Sequence, residues 1–298
     1  MLINLNRLKY LNKKKTIYLM GEDNVNFPIL ITNPHSGRDY SYFTKKNKHN
    51  LLNLRKMEDS YIDLLLSGLE DNELRILASN TPRTLIDLNR HHNEIDKELF
   101  FNCPLENIKR TKNVDSGYGL FFSRMNNQDS IYDTKLDWNE LSKRISDEYI
   151  VFHQEIRNIY QQGLRNFNEF YLLDFHSMPS YMEGYNFSIP EICIGDNIGK
   201  SSSIEFKNFL INKFKSEGFI VGENKPFSGG FITKNYGSPN NKVNALQIEI
   251  RKDTYLNENN LSLNRNFFEL KNKIEKILEE VKEFKVMDNI IKRKLSIV

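Results

Sequence analysis

Phe170-Tyr171-Leu172-Leu173-Asp174-Phe175-His176-Ser177-Met178-Pro179 decides how this chain folds. From Phe170 to Phe175 the run is apolar except at Asp174, the pattern of a central strand buried on both faces. Side chains alternate along a strand, so Asp174 and His176 project to one side. Asp174 can orient the histidine as a carboxylate partner, and a buried ion pair is the other reading. The strand stops at a polar His-Ser followed by Met-Pro, as chain does on leaving a sheet.

Outward from that strand, the sequence predicts further strands at Phe27 to Thr32, Leu74 to Ala78, Thr84 to Leu88, Phe219 to Val221 and Val243 to Ile250. Helical spacing predicts helices at Asp59 to Leu69, about Leu141 to Leu164, Ser201 to Ser216 and about Leu263 to Phe284. The last of these fits a helix docked on a sheet better than a coiled-coil dimer. Alternating elements of this kind predict one α/β domain over residues 1–298, with a mixed, largely parallel sheet flanked by helices. Ligands of such sheets sit beyond the C-terminal strand ends. The stretch from Leu99 to Trp138 is polar and weakly patterned, as a lid or an insertion is.

Bulk composition excludes several classes. Apolar residues make up 39% of the 298 residues, enough for a sizeable core, and the net charge is only +3. Lys and Arg are scattered apart from Lys13 to Lys15 and Lys292 to Lys294, which read as solvated ends, so no basic stripe for nucleic acid is present. Cys103 and Cys193 form no Cys-x-x-Cys pair, which favours a reducing compartment. No run reaches the ~18 apolar residues of a membrane span. The expectation is a soluble cytoplasmic protein without a nucleic-acid or membrane partner.

Reactive side chains gather where the predicted strands end. Asn33-Pro34-His35-Ser36-Gly37 follows the first, Asn89-Arg90 follows Thr84 to Leu88, His176 follows the central strand, and Gln247-Ile248-Glu249-Ile250-Arg251 closes the last. His35 and His176 suit metal ligation. A catalytic zinc takes three protein ligands and keeps one open position, and Glu58 or Asp59 can supply the carboxylate. Glu249 shares a polar strand face with Gln247 and Arg251 and is the candidate general base. Arg83 and Arg90 bracket a strand, and arginine grips carboxylates or steadies an oxyanion. His91 and His92 read as rim positions, and His49 and His153 as structural or exposed.

These segments together resemble the N-formylglutamate amidohydrolases, relatives of zinc carboxypeptidases and aspartoacylases. The resemblance rests on Pro34-His35-Ser36-Gly37, Glu58-Asp59-Ser60-Tyr61-Ile62-Asp63, Arg83-Thr84-Leu85-Ile86-Asp87-Leu88-Asn89-Arg90 and Asp174-Phe175-His176-Ser177-Met178-Pro179. It continues through Gly195-Asp196 with Gly199, Asn224 to Phe231, and Gln247 to Arg251. It implies a zinc-carboxypeptidase-like fold and one zinc held by His35, Asp59 and His176. It further implies Glu249 as general base and Arg83 polarising the scissile carbonyl. Asn89 and Arg90 would hold the substrate α-carboxylate, with Gly229 and Gly230 allowing close backbone approach. Arg38 stands where carboxypeptidases place the Glu of His-x-x-Glu. The implied reaction is hydrolysis of N-formyl-L-glutamate or a similar small anionic N-acyl amino acid. The alternatives are a carboxypeptidase or γ-glutamyl hydrolase, and a silent protein that binds an anionic ligand.

Overall fold

The computed structural model describes residues 8–21, 27–46, 51–126 and 129–295, the side chains of 44–46, 71–72 and 285–295 excepted. His49 and the side chains of Lys292 to Lys294 therefore lie outside the described residues. Eight strands form the main sheet: β1 Leu8–Tyr10, β2 Ile17–Met20, β3 Ile29–Asn33, β4 Arg75–Ser79, β5 Phe170–Met178, β6 Ile192–Gly195, β7 Val221–Glu223 and β8 Val243–Arg251. Their order is β1-β2-β4-β3-β5-β8-β6-β7. The centre, β4-β3-β5-β8, is parallel, while β2–β4 and β6–β8 pair antiparallel. The expected mixed α/β sheet is present.

Alternation along the two central strands positions the site. Tyr171, Leu173 and Phe175 of β5 and Leu246, Ile248 and Ile250 of β8 face one apolar layer. The helices Ile62–Leu66, Ile204–Ser216 and Phe267–Leu295 cover that face, through side chains such as Leu65, Phe206 and Ile274. Phe170 and Leu172, with Val243 and Ala245, face a second layer under the helix Ile150–Phe167. On that face both strands turn polar further along. Register sets Thr32 beside Asp174 and Asp174 beside Gln247, and then His176 beside Glu249. The apolar layer ends where the chemistry begins, at the C-terminal ends of parallel strands.

Several expectations need correction. Thr84 to Leu88 is no strand but a series of turns, closed by the Leu85 amide donating to the Pro82 carbonyl at 2.9 Å. Its alternation reflects burial on two sides, Leu85 in one cluster and Ile86 and Leu88 in another. The helix expected from Asp59 starts only at Ile62, because Tyr61 takes a left-handed φ of 64°. Asp59 thus sits in the loop before that helix. The Leu141 to Leu164 pattern becomes Trp138–Arg144, a π-helical turn Ile145–Tyr149, and Ile150–Phe167. The C-terminal helix docks on the sheet as expected, burying Phe267, Leu270, Ile274, Ile277 and Val281.

The stretch from Leu99 to Trp138 has little regular structure but is well anchored. Phe100, Leu120, Phe121 and Trp138 are buried in the second layer. No helix among the described residues is long and apolar enough to cross a membrane. Both cysteines are free thiols.

Candidate active site

His35 leaves β3 through Asn33-Pro34, and His176 stands near the end of β5. Both turn Nδ1 toward one oxygen of Asp59: His35 Nδ1 lies 3.2 Å and His176 Nδ1 2.9 Å from Asp59 Oδ2. The opposite ring nitrogens meet other carboxylates, with His35 Nε2 at 2.7 Å from Asp87 Oδ1 and His176 Nε2 at 2.8 Å from Asp174 Oδ2. His35, Asp59, His176 and Glu249 are 1%, 2%, 3% and 7% exposed, so water barely screens them.

This arrangement fits a cation. A carboxylate at Nε2 fixes the proton there and leaves Nδ1 a lone-pair donor. Two such nitrogens then face a third acceptor, Asp59 Oδ2, all three within 4.8 Å of one another. Three electron-pair donors that close repel unless positive charge lies among them. The local field has that sense. Burial disfavours a charged His176, yet Asp174 and Asp59 outweigh it and raise the imidazole well above its usual range. Burial likewise opposes ionised Asp59, and the neighbouring His176, His35 and Arg83 overcome it and hold its carboxyl low.

Glu58 is engaged elsewhere, which separates the two acidic candidates. Its carboxylate accepts from Tyr40 Oη at 2.8 Å, Ser60 Oγ at 2.9 Å and Arg55 at 3.1 Å. Asp59 alone of the pair joins the histidines. Arg38, at the position of the carboxypeptidase Glu, forms a two-pronged ion pair with Asp63 at 2.9 and 2.5 Å. Two residues C-terminal to Glu249, Arg251 pairs with Asp253 at 2.7 Å.

Glu249 sits on β8 beside His176 and accepts from Gln247 Nε2 at 2.7 Å. Burial pushes its carboxyl up to about 7; His176 and Arg83 oppose the shift, and Asp59 and Asp174 add to it. A carboxylate poised there can take and return a proton near neutral pH. Arg83 donates to Asp87 Oδ2 at 2.9 Å, lies 3.9 Å from Asp59 Oδ1, and keeps a buried Nε with no partner among the described residues. It therefore has a donor to spare beside the site.

Asn89 occupies the ground between the histidine and an open cleft. Its Nδ2 donates to Asp174 Oδ2 at 3.1 Å and lies 3.0 Å from His176 Nε2, while its Oδ1 accepts from the Ile232 amide at 2.7 Å. Gly230 must be glycine for this: a Cβ there would lie 2.3 Å from Asn89 Nδ2. The Gly230 amide also donates to Gln247 Oε1 at 2.5 Å, and Gly229 has φ +125°. Arg90 is tied by Nε to the Tyr118 carbonyl at 2.9 Å and lines the cleft with Asn89. His91 also lines this cleft and stacks on His92 at 4.3 Å.

Sequence reasoning missed Asp87, Lys252 and Tyr255. Lys252 is buried and donates to the carbonyls of Lys56 at 3.1 Å and Glu58 at 2.8 Å, and Tyr255 Oη donates to that of Ser60 at 2.8 Å. These two residues clamp the backbone on either side of Asp59. Only for Asp87 was a signal available, its place two residues before Asn89-Arg90.

His153 is structural, in line with one of its two sequence readings. Its Nδ1 lies 2.9 Å from Tyr236 Oη and its Nε2 2.9 Å from the Leu88 carbonyl. Burial lowers its pKa to about 3. The unfolded chain therefore takes up this proton near pH 6.5, before the folded one does. Stability from this group is complete above that pH and falls toward pH 3 by at most ~1.4 kcal/mol per unit. Urea unfolding from pH 7 to 4 should show a shallower decline in His153→Gln than in wild type. Equal slopes would contradict this assignment.

Histidines aimed through Nδ1 at one carboxylate oxygen, beside a glutamate raised toward neutrality, define a candidate metal-assisted hydrolase on an α/β sheet. Comparison makes that class particular: the family model for N-formylglutamate amidohydrolase matches residues 27–256. The chain belongs to that family, whose name denotes hydrolysis of an amide. An N-formylglutamate deformylase of Pseudomonas aeruginosa is 24% identical over 233 residues, covering 78% of this chain and 83% of that protein. Its counterpart in Pseudomonas putida is 23% identical over 235 residues, with 78% and 82% covered. The crystal structure of an N-formylglutamate amidohydrolase from Ralstonia eutropha superposes with a TM-score of 0.84 at 24% identity. That match covers 90% of this chain and 98% of the other, and it shows the shared fold.

Proposed function

We propose that this protein hydrolyses the amide of N-formyl-L-glutamate, or of a closely similar N-acyl amino acid, with a divalent metal held by His35, Asp59 and His176. The observation that carries this reading is the convergence of both Nδ1 atoms on Asp59, next to Glu249. Nitrogen and oxygen donors of this kind suit zinc. When bound, the ion supplies Lewis acidity and eases ionisation of a water. Glu249 takes the proton of the attacking water, whose oxygen adds to the formyl carbon. Arg83 donates to the carbonyl oxygen as negative charge builds on it. The C–N bond then breaks, and Glu249 returns its proton to the departing amine, leaving formate and glutamate. Arg90 supplies charge for the substrate α-carboxylate, while Asn89 donates to Asp174, the carboxylate that orients His176. Gly229 and Gly230 let the main chain come close.

Product analysis tests the reaction. Metal-loaded protein should release formate and glutamate one for one from N-formyl-L-glutamate. Release of no glutamate from N-formyl-L-glutamate or N-acetyl-L-glutamate would overturn the reading.

Lys252 offers a test that does not depend on turnover. Replacing it with Met removes the clamp on the Glu58 carbonyl and loosens Asp59. Supporting residues of metal sites contribute about 10- to 100-fold in affinity. Lys252→Met should weaken zinc binding by about that factor in a competition titration with a chromophoric chelator. Unchanged affinity would show that the clamp does not position Asp59.

A further inference from the structure

Glu148 is a buried carboxylate that the reaction as derived does not use. It is 0% exposed and stands in the π-helical turn Ile145–Tyr149. One of its oxygens accepts from Thr81 Oγ1, and the other faces Arg144 Nη1 at 3.6 Å. Burying a carboxylate is costly unless it is paired and hydrogen-bonded, and π-helical turns inside helices frequently mark functional sites. Both features point to a task for this turn.

The task follows from what the turn holds. Thr81 leads through Pro82 to Arg83. Its carbonyl packs against Gly37, two residues after His35, where a Cβ would lie 2.2 Å from the Thr81 oxygen. The next residue of the turn, Tyr149, donates through Oη to the Arg90 carbonyl at 2.8 Å. Further along the same helical run, His153 Nε2 lies 2.9 Å from the Leu88 carbonyl, and its ring rests on Tyr149 with centroids 4.2 Å apart. Side chains of one helical run thus hold the segment from Thr81 to Arg90 at its start and at its end. That segment contains no strand or helix, yet it carries Arg83, Asp87, Asn89 and Arg90. Within it Asp87 accepts from Arg83 at 2.9 Å and meets His35 Nε2 at 2.7 Å.

We infer that Glu148 and Tyr149 are positioning residues for the reaction, Glu148 setting Arg83 through Thr81 and Tyr149 setting Arg90 through its carbonyl. Their kinetic roles rest on the amide-hydrolase reading, in which Arg83 meets the carbonyl oxygen as charge builds and Arg90 meets the substrate α-carboxylate. The two contacts should therefore show in different constants. Displacing Arg83 weakens an interaction made in the transition state and lowers kcat. Displacing Arg90 weakens one made in ground and transition states alike and raises KM.

Conservative substitutions cut the two contacts separately. Thr81→Val keeps the shape, removes the hydroxyl, and should lower kcat about 10-fold with KM little changed, less than the about 10²- to 10³-fold cost of losing an oxyanion donor outright. Thr81→Ser keeps the hydroxyl and should restore kcat, and Thr81→Ala gives the same reading should Thr81→Val not fold. Tyr149→Phe keeps the ring on His153 and should raise KM about 5-fold, the worth of one net hydrogen bond, with kcat little changed. Wild-type kcat in Thr81→Val would overturn the role of Glu148, and wild-type KM in Tyr149→Phe that of Tyr149. Equal changes of kcat and KM in both variants would overturn both. A signal that needs no turnover separates positioning from reaction. The nitrogen-15 Nε–H resonances of Arg83 and Arg90, assigned with Arg83→Lys and Arg90→Lys, should move in Thr81→Val and Tyr149→Phe respectively. If they move in a protein that does not cleave N-formyl-L-glutamate, the reaction assignment fails and the positioning stands. If they stay in place, the positioning fails, whatever the protein cleaves.

Discussion

Glu249→Gln should lower kcat by about three orders of magnitude while leaving metal content unchanged. A positioned acid–base group contributes typically ~10²- to 10⁴-fold. Burial that pushes this carboxyl up to about 7 puts it in the range where proton transfer is most effective. The amide of the substituted side chain keeps the shape and can still meet Gln247, but it cannot accept a proton from water. Glu249 is not among the three residues whose ligand atoms converge, so the ion should stay. Single-turnover formate release and metal analysis on one sample check both halves. Wild-type turnover in Glu249→Gln would remove Glu249 from the chemistry.

The second large effect is expected from Asp59→Asn. The amide removes the one negative charge among the three ligands and turns an NH₂ or a neutral oxygen toward two Nδ1 lone pairs. Metal affinity should fall by more than the about 10- to 100-fold typical of supporting residues, and turnover should fall with it. Ser177 Oγ, which donates to Asp59 Oδ1 at 3.2 Å, would also lose its charged acceptor. Glu58→Gln is the matched control. Among the described residues the Glu58 carboxylate bonds to Tyr40, Ser60 and Arg55 and not to the histidines, so that variant should keep metal binding and lose some stability at the loop. Equal loss of metal in the two variants would show that either carboxylate can serve.

Much of this was legible in the sequence because the sheet speaks through period two. The apolar runs of β3, β5 and β8 are long enough to mark strands, and the polar residues that interrupt their far ends mark the site. Asp174 beside His176, and Glu249 beside Gln247, follow from alternation alone. Other features depend on contacts that no local pattern records. Thr84 to Leu88 alternates like a strand because it is buried on both sides, yet Pro82 bends the chain into turns. The helix expected from Asp59 fails on the backbone of one residue, Tyr61. β1, β2 and β6 are only three or four residues long and leave too few alternations to read. Asp87 and Lys252 reach their partners across 52 and 194 positions of chain, distances that spacing rules do not span.

The most direct test is metal content and formate release measured together on one preparation as it is stripped with a chelator and then restored with zinc. One ion per chain is expected, with release from N-formyl-L-glutamate that disappears on stripping and returns with zinc, and no uptake by a His35→Ala/His176→Ala variant. Undiminished release from stripped protein, or full uptake by the double variant, would contradict it.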